Sequence, residues 1–279
     1  MAKISNTERI KYLEKIKPYK NIIQAMLKRE GSALQMLKRG GPEVPLKRLV
    51  MAEEMIAIAA NYIILNGISV SMLKLRSEEA LNDSRKALYR AVIHLEEVVS
   101  PLLDAPFSEY EEQLAQIETV SAAKRYSLVK KIGLAIQLLE NAYGDNTKWK
   151  WSFVELEGRY ATVTKNIMNL KTAVVNTDPS SADYEPTMYH LALIKKLLFQ
   201  AADRYREKYE LSTNRIDDFK MGINFLNSLR RIHVLLGERS DAETIKKKAE
   251  IWTTKLEADI KKQEEIAQKN IKKSLTLTE

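Results

Sequence analysis

Three histidines, His94, His190 and His233, and no cysteine are available to this chain of 279 residues. Those counts bound the chemistry before any element is considered. Without cysteine there is no disulfide, thiolate nucleophile, iron–sulfur cluster or cysteine zinc site. A di-iron centre in a helical protein takes Glu-x-x-His from two helices. Here the residues three before the histidines are Ala91, Thr187 and Arg230. No His-Glu-x-x-His or Gly-x-Ser-x-Gly occurs. The one close glycine pair, Gly40-Gly41, runs into Pro42 instead of the Gly-Lys-Ser/Thr of a phosphate-cradling loop.

Arg90 and His94 have three residues between them, closer than the four to six used by one class of helical ribonuclease. One helical turn apart, they read as a half-buried histidine beside an arginine, and His233 after Arg230 and Arg231 reads the same way. Adjacent helical side chains diverge by about 100°. The acidic pairs Glu53-Glu54 and Glu96-Glu97, and Glu155-x-Glu157, are therefore not ready-made metal clamps. No metal, cofactor or small-molecule substrate is inferred. Lys148-Trp149-Lys150-Trp151 with Phe153 could stack on bases or seat at a lipid interface. Trp149 and Phe153 also lie one turn apart, so helix-start packing is the preferred reading. Tyr205-Arg206-x-x-Tyr209 reads as a helix surface.

The charge is more informative. The net +8 sits wholly in residues 1–50, which hold twelve Lys/Arg and four acids, leaving 33 of each beyond them. A local positive potential attracts phosphates, anionic lipid or an acidic protein surface. The arm also carries an apolar helical stripe, so it reads as a basic amphipathic helix that could lie on a membrane or in a groove. The candidate anion contacts are Lys28, Arg29, Lys38, Arg39, Lys47 and Arg48.

The elements that position these residues are helices. Glycine (9) and proline (7) are scarce. Apolar spacings of three and four recur throughout, with no period-two run. The pattern predicts an all-α fold, a bundle of about eight long, mostly antiparallel helices with short connections. One helix starts at Ser5 or Asn6, with a kink or break at Pro18, and ends before 40–45. A second runs from Pro45 towards Leu75, and a third from a cap at Ser77 to Ser100. A capping box at Ser108 and Glu111 opens a fourth, reaching Ala142. A fifth spans 148–175, and the polar segment 176–186 marks a boundary. Helices from Pro186 to Leu211, Asn214 to Leu236, and a capping box at Ser240 and Glu243 to Lys273 complete the chain. The expected division is a basic arm (1–44), a central bundle (45–175) and a C-terminal three-helix subdomain (186–279).

Nineteen residues from Met55 to Leu73 carry no charge, enough to span a bilayer. Asn61, Asn66, Gly67, Ser69 and Ser71 dilute the run, and a helix apolar all round also suits a bundle centre. The buried reading is preferred. The chain opens without a hydrophobic signal core, and with no cysteine this fits a cytoplasmic protein. The last helix has a stripe of Trp252, Leu256, Ile260 and Ile266, a candidate protein–protein contact. The leading expectation is a non-enzymatic scaffold or assembly subunit, with other subunits or itself as partner. Non-specific nucleic-acid binding through the arm and attachment to anionic membranes stand beside it.

Overall fold

The computed structural model describes residues 5–144 and 147–276. Lys3 of the basic arm lies outside them, as do Asp145 and Asn146, which follow the expected end of the fourth helix. Among the described residues the chain is all-helical, without a strand: ten α-helices and one π-helical segment. They are α1 (Asn6–Leu37), α2 (Val44–Leu73), α3 (Glu78–Glu96), α4 (Phe107–Ala115), α5 (Ala122–Tyr143), α6 (Lys150–Asn166), α7 (Leu170–Val175), α8 (Tyr184–Lys208), the π-helical Tyr209–Thr213, α9 (Ile216–Leu235) and α10 (Arg239–Thr276).

Two helices expected to be continuous are each broken. The stretch beginning at 108 divides into α4 and α5. Ser121 caps α5 by accepting from the Lys124 N–H, and the Arg125 guanidinium donates to the carbonyls of Ile117, Val120 and Ile167. One buried cation thus bonds carbonyls just past the ends of α4 and α6, where negative helix-end dipoles favour positive charge. The stretch 148–175 breaks at Asn169, whose side chain accepts from the N–H groups of Lys171 and Thr172 to start α7. The Ser108 capping box does not form, because α4 starts one residue earlier without a side-chain cap. Likewise α10 starts at Arg239 and takes Ser240 into its first turn. The capping box that does form is Ser5 with Glu8.

The chain divides into two compact units, 1–191 and 192–279, with the division inside α8. In the first, α2 is central and packs against α1, α3 and α5, while α3 also meets α5 and α6. Met55, Ile58, Leu81, Leu88, Leu95, Val129, Ile132 and Phe153 are almost wholly removed from water. Burial at this depth drives folding at roughly 25 cal/mol per Å² of apolar surface. Two polar groups in the uncharged run of α2, Asn66 and Ser69, are buried within the protein, while Ser71 is exposed. Asn66 Oδ1 accepts from the Ser77 N–H at 2.9 Å, and Ser69 Oγ donates to the Leu75 carbonyl at 2.8 Å. They fasten the α2–α3 turn. Among the described residues α2 is the one helix long and apolar enough to cross a membrane.

The second unit is built from the rest of α8, the π-helical segment, α9 and α10. Tyr209 stacks on Phe219, Phe219 meets Trp252, and Tyr205 stacks on Phe225. Gly222 lets α9 approach α8: a Cβ there would lie 3.0 Å from the Ala202 carbonyl oxygen. Tyr205 and Tyr209, expected on a helix surface, are buried in this aromatic core. Their rings bring far more apolar area than the flanking charges can hold in water.

Candidate partner-docking face

The basic arm folds as α1, a continuous helix of 32 residues with Pro18 inside it. An interior proline costs about 3 kcal/mol. Ile16 and Ile23, buried on either side of it, anchor both halves. The covered residues alternate with half-covered ones: Tyr12, Ile16, Tyr19, Ile23, Met26, Glu30, Ala33 and Leu37. Spacings of four and three residues make this a heptad seam, the narrow stripe of a helix pair. Ile10, Leu13 and Ile22, apolar residues of the same helix, lie off the seam and are exposed.

One seam position is a carboxylate. Glu30 is 1% exposed and forms an ion pair with Arg90 of α3. His94 Nε2 lies 3.5 Å from its other oxygen. On the far side of the imidazole, Arg48 Nη1 sits 3.3 Å from Nδ1. A guanidinium only donates, so Nδ1 accepts and Nε2 carries the proton that faces Glu30. Burial, then the charges of Arg48 and Arg90, pull the His94 pKa down to about 4. Arg48 in turn pairs with Glu97. Four charged side chains and a neutral imidazole from three helices thus hold α1 in place. The helix-turn relation of Arg90 to His94 was visible in the sequence, but Glu30, sixty residues upstream, was not.

The outer face of α1 is different. Arg9, Lys11, Lys15, Lys17, Lys20 and Lys28 are exposed, and among the described residues none forms an ion pair with a carboxylate. Of the three acids on α1, Glu8 folds back onto the N–H and hydroxyl of Ser5, Glu30 is buried, and Glu14 is exposed among the lysines. Hydrogen bonds from Ser5 lower the Glu8 pKa.

The six basic residues singled out by sequence do not gather into one patch. Lys28 is exposed on α1, and Lys38 and Arg39 are exposed in the turn after it. Arg29 pairs with Glu54 of α2 at 3.2 Å and Lys47 with Glu43 at 3.3 Å. Arg48 faces inward. The outward cations missed by that selection are the five nearer the N-terminus, Arg9, Lys11, Lys15, Lys17 and Lys20.

The stripe on α10 divides as well. Trp252 and Leu256 are 4% and 7% exposed in the core of the second unit, so neither offers a contact surface. A helix crossing α9 must bury its largest apolar groups there. Ile260 is half-buried and Ile266 is 49% exposed. Near the α9–α10 turn, His233, Glu238 and Asp241 are spaced closely enough to hold a metal ion. Lys195 already donates to both Glu238 oxygens, at 2.6 and 2.8 Å. Trp149, from the Lys–Trp cluster, is half-buried with the Arg85 guanidinium 4.3 Å above its ring, and Phe153 is core.

The chain belongs to the TP0443 family, whose pattern matches residues 8–260 and so includes α1 almost entire and excludes Ile266. No curated protein and no solved structure matches the chain.

Proposed function

We propose that this member of the TP0443 family is a non-enzymatic, cytoplasmic helical-bundle scaffold that docks an acidic protein surface on the outer face of α1. The observation that carries this reading is the contrast along one helix. Two of the three acids of α1 are capped or buried, whereas six outward cations over about 28 Å of helix, with exposed Glu14 among them, form no ion pair among the described residues. A helix lying on a membrane inserts one continuous apolar face. On α1 that stripe is occupied by α2, and Ile10, Leu13 and Ile22 are left scattered among the lysines. Isolated apolar groups beside charges suit the mixed chemistry of a protein interface. Exposed Ile266 on α10 offers a second contact, for another subunit or a second copy of the chain.

Phosphate contacts by the same cations are the second reading, because an unneutralised lysine row is also what nucleic acid selects. A tagged wild type and a variant with Lys11, Lys15, Lys17, Lys20 and Lys28 changed to Gln, purified from the native source, separate the two. Under the docking reading, nuclease treatment leaves a defined acidic protein on the wild type, and the variant loses it. Loss of all bound material to nuclease would replace this reading with the second.

A further inference from the structure

A cavity of about 320 Å³ opens within the first unit, between the α4–α5 turn, the α6–α7 turn and the start of α8. Among the residues lining it are Glu118, Arg125, Asp183, Thr187 and His190. Arg125, Thr187 and His190 are 8%, 2% and 2% exposed. A packing void lined by apolar groups stays dry and empty. Polar groups buried around open volume instead retain bonding capacity that a polar occupant uses.

That capacity can be counted. Arg125 donates one N–H each from Nε, Nη1 and Nη2 to the carbonyls of Val120, Ile167 and Ile117, at 2.9, 3.2 and 2.7 Å. A guanidinium has five N–H groups, so two remain. His190 Nε2 lies 2.9 Å from the Thr164 carbonyl oxygen, so it is the donor and Nδ1 keeps a lone pair. The Thr187 hydroxyl makes no hydrogen bond among the described residues.

Charge narrows the occupant. The buried guanidinium faces the cavity together with half-buried Asp183 and exposed Glu118. A simple oxyanion would meet two carboxylates, and a simple cation would meet the guanidinium. A molecule carrying both charges satisfies each. The volume lies at the small end of ligand pockets. We infer that this cavity binds a small zwitterion of the α-amino-acid type. Its carboxylate is taken by Arg125 and the Thr187 hydroxyl, and its ammonium by Asp183 and the His190 Nδ1 lone pair. This site is independent of the docking face on α1.

The test is isothermal titration of the full chain with each of the twenty L-amino acids, with acetate and methylammonium as half-ligand controls. Arg125 also holds the α4–α5 turn, so Thr187→Val and Asp183→Asn are the variants to use, with unchanged melting as the control. At least one amino acid should bind with a Kd between about 1 μM and 1 mM. Each half-ligand should bind at least tenfold more weakly, and each variant should weaken binding by about tenfold. No amino acid binding at about 10 mM would overturn the assignment. So would binding that survives both substitutions, or acetate binding as tightly as the amino acid.

Discussion

Glu30 has no route to water, whereas the Arg90 guanidinium that pairs with it is 40% exposed, and the two substitutions that break the pair therefore differ in cost. Arg90→Ala strands a buried carboxylate, and removing one partner of a buried pair costs about 3–5 kcal/mol. Glu30→Leu restores an apolar seam position and leaves a guanidinium that can turn to solvent, so it should cost less than about 1.5 kcal/mol. Urea denaturation of both variants reads the difference directly. Equal losses would mean that the pair does not sit as described. Two histidines set the pH response. Burial is the largest cause lowering both His94 and His190 from 6.5 to about 4. Between those values the unfolded chain binds more protons, so the stability is present above pH 6.5 and drains away as pH falls towards 4. Denaturant midpoints across that window should fall with acidity, and His94→Asn should flatten the slope.

α1 was legible as a helix from its cap and its apolar spacing, but not which stripe would be covered. Two overlapping apolar sets share the helix, and only the heptad set, which includes Tyr12, Tyr19 and a glutamate, meets α2. A hydrophobicity pattern discards a buried Glu, so the true seam was hidden at the position that fixes it. Ile23→Ala should cost about 2–4 kcal/mol by opening a cavity. Ile10→Ala should stay within about 0.5 kcal/mol as a surface change. Thermal melts of the pair check the assignment, and the reverse order would place the other face on α2. The breaks at 116–121 and 167–169 were missed for a related reason. Each carries a modest sequence signal, Ser121 and Asn169, and is completed by Arg125, which reaches the nearby Ile117 and Val120 carbonyls at the first break and the sequence-distant Ile167 carbonyl at the second.

For the whole molecule, composition sufficed for the all-helical class, because few breakers and recurrent helical spacing leave no other economical fold. How many helices there are, and which apolar residues are core, depended on neighbours that the sequence does not name. Trp252 shows this plainly. On its own helix it resembles a contact stripe, yet Phe219 of α9 lies 5.8 Å from its ring. Trp252→Ala should destabilise residues 192–260 by about 3–5 kcal/mol. Hydrogen exchange reads this as lost protection throughout α9, and unchanged protection would return Trp252 to the surface.

Docking on α1 draws on six outward cations that form no ion pair among the described residues. Light scattering on a sizing column, with absorbance at 260 and 280 nm, tests it on protein purified with its partner at low and at high salt. The expected result is a defined complex free of nucleic acid that dissociates at high salt and does not form when Lys11, Lys15, Lys17, Lys20 and Lys28 are Gln. A lone chain at low salt, or a complex indifferent to both salt and those substitutions, would contradict it.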